Sequence, residues 1–237
     1  MYPISSILLI VLLMMAMPTA GLGAPAQSGV RLTYSLAQSG ATVNEPVFLK
    51  VVAENSLGHD VTVDFGQDFY GNFHATLARP DGSTEVAPNP DAVVYQLGFP
   101  GEIKLAAHGS SEKLLLLNRW FSFDVPGLYF LALELGGPGA SADGSGVEVE
   151  SKGDIVIDIG IRDETRLTNI CSKLVAQILA DPTFKAAWDD SEAVEALIGE
   201  LNRLPDDDKL NVRLALGGIE DRTTDPQIKE RIGAALK

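Results

Sequence analysis

The hydrophobic spacing of this chain changes once, near Ile161, and that change limits the fold more than any other feature. Before it, apolar residues recur at every second position. Val30, Leu32, Tyr34 and Leu36 alternate with Arg31, Thr33 and Ser35; Val47, Leu49, Val51 and Ala53 follow, then Val61, Val63 and Phe65. A strand points successive side chains to opposite faces, so a period of two marks strands with one face buried. Turn signals divide the run at Glu45-Pro46, Ser56-Leu57-Gly58, Pro80-Asp81-Gly82, Asn89-Pro90, Pro100-Gly101 and Pro126-Gly127. Further strands are expected at Phe73 to Leu77, Thr84 to Ala87, Val93 to Leu97, Ile103 to Leu105, Lys113 to Leu117, Tyr129 to Leu135 and Asp154 to Ile161. No helical pattern intervenes, which predicts an antiparallel sandwich or barrel.

Nine or ten short strands over about 130 residues suit an immunoglobulin-like sandwich. One stretch sharpens this: Trp120-Phe121-Ser122-Phe123-Asp124-Val125-Pro126-Gly127-Leu128-Tyr129. A Pro-Gly corner feeding a strand whose first inward residue is Tyr129 looks like the corner found late in many Ig-like domains, where the phenol hydroxyl bonds upstream backbone. Tyr129 is read as a fold marker and Trp120 as a core or corner residue. Between Gly136 and Gly146, five glycines in eleven residues predict a mobile hairpin loop that cannot hold a strand.

After Ile161 the spacing becomes helical. Leu167, Ile170, Cys171, Leu174, Val175, Ile178 and Leu179 fall at steps of three and four. Three more helices are expected, Glu192 to Leu204, Asp206 to Leu216 and Pro226 to Leu236, with a short turn at Pro182 to Trp188. Gly217-Gly218 is read as a cap closing the third of them. Asp181-Pro182 and Asp225-Pro226 each set an N-cap carboxylate before an N1 proline, 44 residues apart, which matches the period of a HEAT-type helix pair. So short a region has little interior of its own. Its helices are therefore expected to lean on the sandwich or to form a stub of solenoid.

The expected fold class is α+β in two modules: residues 27–161 an all-β Ig-like antiparallel sandwich, residues 162–237 a small all-α, HEAT-like region. Residues 1–26 are read as a signal peptide. Ile7 to Met17 is an unbroken apolar run, stopped by Pro18 and followed by small residues; it is shorter than the 20 or so residues a membrane span needs. An exported, periplasmic or extracellular protein with no stable membrane insertion after cleavage is the expectation.

Charge narrows the partners. The chain carries 18 basic and 32 acidic side chains, a formal −14. Residues 27–161 hold 7 basic and 17 acidic side chains, residues 162–237 hold 11 and 15, so the acidity belongs mainly to the β module. Nucleic acid is excluded as a partner, because neutralising phosphates needs clustered Lys and Arg. The single cysteine, Cys171, rules out an internal disulfide and reads as a small buried hydrophobe.

Few residues carry a chemical signature. His59, His74 and His108 are scattered and have no partner at ligand spacing, so no zinc site is expected. Asp60, Asp64 and Asp68 step by four around aromatic residues and could offer oxygen ligands to calcium, but they lack the alternating ligands and central glycine of an EF-hand loop. Asp206, Asp207 and Asp208 fit the first turn of a helix, where its dipole favours negative charge. No serine elbow or phosphate-binding glycine loop is present in the sequence. No catalytic, cofactor-binding or metal residue is assigned.

The chain resembles exported bacterial proteins of uncharacterised activity that join an Ig-like β domain to a HEAT-like helical tail. The likeness rests on Glu45-Pro46-Val47, on Asp64 to Phe73, on Leu115-Leu116-Leu117-Asn118-Arg119-Trp120 and on Pro126-Gly127-Leu128-Tyr129. It implies a non-catalytic binding or scaffolding protein of the cell envelope whose partner is another envelope or secreted protein, with no cofactor. Two other classes stay open: an Ig-like protease inhibitor presenting a loop such as Gly136 to Gly146, and an enzyme whose site is assembled from distant residues.

Overall fold

The computed structural model describes residues 29–66, 69–87, 101–136, 140–142, 145–147, 149–180 and 188–237. The expected leader, Asp68, Asn89-Pro90, the Val93–Leu97 strand, Asp181-Pro182 and the turn ahead of Trp188 lie outside them. A β region comes first and a helical region follows, an α+β layout in two modules.

The period-two segments form strands where expected: β1 Val30–Leu36, β3 Phe48–Asn55, β4 Val61–Asp64, β5 Phe73–Ala78, β6 Thr84–Val86, β7 Glu102–Leu105, β8 Ser110–Leu116, β9 Gly127–Leu135 and β13 Gly153–Gly160. Short strands not foreseen join them: β2 Ala41–Thr42, β10 Ala140–Ala142, β11 Ser145–Gly146 and β12 Val149–Glu150. They assemble into sheets ordered β12-β1-β3-β8, β11-β10-β4-β7 and β2-β13-β9-β5-β6.

Two expectations for the β region need correction. The pairing is not wholly antiparallel, because β12 runs parallel to β1 and β2 parallel to β13. Both exceptions are two-residue strands at sheet edges. The chain leaves β1, touches the edge of β13 at Ala41–Thr42, where Val43 N–H donates to Gly160 O at 3.1 Å, and returns as β3. The glycine-rich segment also does hold strand: β10 pairs antiparallel with β11 and with β4. Its described strand residues are Ala140, Ser141, Ala142, Ser145 and Gly146, so the neighbouring β4 supplies the ladder partners that the segment's own composition does not promise.

Alternate side chains of all three sheets meet in one core. It takes Leu32, Leu49, Val63, Leu77, Leu105, Leu131 and Ile157 from different strands, and an aromatic group of Phe65, Phe73 and Trp120. Burial of each large apolar side chain contributes about 1.5–3 kcal/mol. Tyr129 is fully buried, and its hydroxyl donates to Val125 O at 2.9 Å, the upstream backbone bond expected of it. Trp120 is buried edge-on against Tyr70 and Phe73.

The helices are α1 Glu164–Ala180, α2 Trp188–Glu200, α3 Asp206–Arg222 and α4 Pro226–Ala235. Asp225 caps α4 as anticipated, accepting from the N–H of Gln227 and Ile228 with Pro226 at the first turn. Gly217-Gly218 does not cap α3, which runs on to Arg222. Leu216 and Ile219, both fully buried, flank the pair, and the apolar area they bury outweighs the cost of about 1 kcal/mol per interior glycine. The helical core closes only with β-region help: Leu116 of β8 is a member of it, and Phe48 of β3 packs against it.

Candidate functional site

Between the modules lies a cleft of about 370 Å³, lined by Arg119 and Trp120 on the β side and by Glu195, Glu200, Arg203 and Arg231 on the helical side. It is organised by α2. Glu192, Glu195 and Glu200 are all buried, and each meets an arginine from elsewhere: Arg119 in the turn after β8, Arg231 of α4 and Arg203 in the turn after α2.

Glu192 is the deepest of the three, with no exposure. Its Oε1 lies 2.6 Å from Nη2 of Arg119. Its Oε2 accepts the Leu116 N–H at 2.7 Å and a short bond from the Tyr70 hydroxyl, which itself also receives Leu116 N–H at 2.7 Å. Arg119 stacks over the Tyr70 ring, 5.1 Å from its centroid. Burial pushes the Glu192 carboxyl up to about 7, against the opposing pull of Arg119, the Tyr70 hydroxyl and Leu116 N–H. Burial and the neighbouring carboxylate likewise hold Tyr70 well above its ordinary range, so it stays a donor. Burial raises Glu195 and Glu200 as well, with the arginines pulling them back.

A second tie runs the other way across the joint. Glu45, also without exposure, accepts Thr42 N–H at 2.8 Å and meets Arg166 of α1 at 3.0 Å. Asn118 locks the loop in place: its Oδ1 accepts Val47 N–H at 2.6 Å and its Nδ2 donates to Glu45 O at 3.1 Å. Two of the segments that carry the family resemblance, Glu45-Pro46-Val47 and Leu115 to Trp120, therefore meet at the joint. The Glu192–Arg119 and Glu45–Arg166 pairs tie one module to the other, whereas Glu195–Arg231 and Glu200–Arg203 lie within the helical module.

The second feature is the outer face of the five-stranded sheet. Leu128 is 50%, Phe130 54% and Val156 54% exposed. Register places Val156 beside Phe130 and Phe130 beside Ala78, while Ala132 stands between Asp154 and Thr76 and Thr76 beside Val86, itself 68% exposed. Outward strand positions facing water are ordinarily polar; here three successive ones on β9 are apolar.

The residues singled out in sequence are not gathered into a site. Asp60 Oδ1 accepts Ala107 N–H at 3.0 Å, and Asp64 Oδ1 accepts Gly66 N–H at 2.7 Å, so both serve turns. Among the described residues no group of three His, Cys, Asp or Glu is placed to hold a metal ion. His59 and His108 lie in loops and His74 on β5; none lines the cleft. Asp206, Asp207 and Asp208 occupy the first turn of α3, and Asp208 accepts the Thr168 hydroxyl at 2.9 Å. Cys171 is buried beside a groove of about 410 Å³ between α1 and α3, and burial, then Glu200, Asp208 and Glu45, push its thiol up to about 12. The buried carboxylates of α2 were missed in sequence. No sequence signal marked them, because glutamates three apart on a helix are spaced alike whether their face is buried or solvated.

No family model matches the chain, and no curated protein matches it. Solved structures offer partial likenesses. Northeast Structural Genomics Consortium target SoR45 is similar at 8% identity and a TM-score of 0.37, over 56% of this chain and 89% of that one. The alkylpurine DNA glycosylase AlkC of Pseudomonas fluorescens is similar at 12% identity and 0.30, over 58% of this chain and 32% of that one. The CARDB domain of the PF1109 protein from Pyrococcus furiosus, solved with di-metal ions, is similar at 9% identity and 0.28, over 55% of this chain and 85% of that one. At these scores no activity or ligand passes from them to this chain.

Proposed function

We propose that this is a non-catalytic, exported binding or scaffolding protein of the bacterial cell envelope, in which an Ig-like β-sandwich carries the recognition surface and a HEAT-like helical region braces it. The observation that carries the reading is the apolar row on the outer sheet face, Leu128, Phe130 and Val156. A contiguous apolar patch of that kind in a soluble protein marks an interaction site more often than chance exposure. The apolar run Ile7 to Met17 supports export. A bracing role for the helices is supported by the two ion pairs that cross the joint, Arg119 with Glu192 and Arg166 with Glu45.

The test compares the protein with its Phe130→Ser, Val156→Ser variant as bait in native envelope extract. A discrete protein retained by the parent and lost by the variant supports the reading. Retention that ignores the two substitutions removes the face as the site, and a parent that retains nothing counts against the function itself.

A further inference from the structure

The same sheet face carries charge as well as apolar surface, and the charge is mainly acidic, Asp154, Asp158 and Glu134 against Lys152. Resting on the binding reading above, we propose that the partner presents a basic, apolar segment: alternating hydrophobic and Lys or Arg residues that lie across β9 and β13. Side chains two apart on a strand share a face, so Asp154 and Asp158 stand on either side of Val156, both exposed. Register sets Asp154 beside Ala132 and Asp158 beside Leu128. Glu134 closes the end of the row next to His74.

The basic groups nearby are already engaged. Lys152 lies 3.5 Å from Glu134. Arg79, at the end of β5, turns to Glu85 and Asp124. Among the described residues neither Asp154 nor Asp158 has an ion pair. The face is thus an apolar stripe with an unbalanced carboxylate rim, and that pattern discriminates between occupants. A second copy would bring its own Asp154 and Asp158 against these, in a β module already at 7 basic and 17 acidic side chains; like charges across an interface oppose association. An acidic peptide is rejected for the same reason. A basic segment gains from both parts of the face: its apolar residues cover Phe130 and Val156, and its cations meet the two aspartates at the rim, where such pairs set specificity and association rate more than affinity.

Three labelled synthetic peptides test this on the whole protein by fluorescence anisotropy: alternating Val-Lys, alternating Val-Glu and alternating Ser-Lys of equal length. Val-Lys is expected to bind at least about tenfold more tightly than either of the others. Phe130→Ser is expected to weaken it about tenfold or more. Asp154→Asn with Asp158→Asn is expected to weaken it severalfold and to flatten its salt dependence, since screening acts on the rim charges. Asp206→Asn with Asp207→Asn, on the far module, controls for the general acidity of the chain and should leave binding unchanged. Circular dichroism and thermal midpoints confirm that each variant is folded.

Equal binding of Ser-Lys, or equal loss with the Asp206 and Asp207 variant, shows unspecific charge attraction and overturns the proposal. Val-Glu bound as well as Val-Lys, but still lost with Phe130→Ser, overturns the basic partner and leaves the face as a binding site. Peptide binding that never depends on Phe130 overturns both.

Discussion

The two modules close their cores in different ways. The β region is self-sufficient: its core is drawn from its own strands and loops, with Tyr129, Phe123 and Leu131 buried completely or nearly so. The helical region is not, for its core incorporates Leu116 of β8 and rests on Phe48 of β3. The polar ties follow the same asymmetry. Glu192 reaches out of α2 into a socket made wholly by the β region: the Arg119 guanidinium, the Tyr70 hydroxyl and the Leu116 N–H. A small helical set that cannot bury enough of itself uses the larger module as its fourth wall.

The strongest way to break that comparison is Arg119→Ala. It leaves a fully buried carboxylate without its cation, a loss of about 3–5 kcal/mol. Because the socket belongs to the β module while the dependent core is helical, urea unfolding followed by far-ultraviolet circular dichroism should separate into two steps. The helical signal should be lost first. A single transition that moves as one would show that the two modules unfold as one unit, and a shift below about 1 kcal/mol would show that the helices stand unaided.

Proton uptake at the same carboxylate gives the next largest effect. The group is faced by Arg119, Tyr70 and the Leu116 amide from the β side and by Glu195 on its own helix. Its proton affinity is raised from an ordinary 4.5 to about 7 in the folded protein. Its contribution to stability is therefore complete below about pH 4.5 and is lost as pH rises through about 7, on the order of 3 kcal/mol across that window. Denaturation midpoints measured from pH 5 to 8 should fall more steeply for the parent than for Glu192→Gln. Parallel pH profiles would sink this assignment.

The second tie should cost less. Arg166, 40% exposed, is half in water, and Glu45 keeps its bond to the Thr42 N–H when the guanidinium is gone. Arg166→Ala is expected to destabilise by about 1–2 kcal/mol, well under Arg119→Ala in the same urea assay. Equal losses would mean that the joint is shared evenly rather than hung on Glu192.

How much of this was legible in the sequence divides along the same line. Period-two spacing placed the long strands, because burying one face of a pleated strand writes itself into consecutive residues: Leu131, Leu133 and Leu135 are inward, Phe130 and Ala132 outward. Tyr129 and Asp225 were legible for a related reason, since a corner and an N-cap are local bargains among neighbours in the chain. The joint was not legible. Tyr70, Glu192 and Leu116 lie 46 to 122 residues apart, and nothing in the string around Glu192 distinguishes it from a solvated helix carboxylate. The short strands β2, β10, β11 and β12 escaped because two or three residues have no period; their partners, not their composition, make them strands. The outer-face patch was present as Leu128, Phe130 and Val156, but only cross-strand register puts them side by side.

The smallest effect bears on the one local rule that misread the chain. A Gly-Gly pair after an apolar run ordinarily ends a helix with a left-handed residue, yet here α3 continues, and Arg222 Nε reaches back to Gly218 O at 2.7 Å. A Cβ added at Gly218 meets nothing within 4 Å, and its φ is not positive. Alanine at that position should therefore gain the helix interior's preference over glycine and stabilise by about 0.5–1 kcal/mol, raising the helical transition while leaving the β transition in place. If Gly218 were a left-handed cap, alanine would be strained and would destabilise by a similar amount. The sign of a Gly218→Ala shift thus decides whether α3 spans the pair, and with it whether Ile219 reaches the shared core that ties the helices to β8.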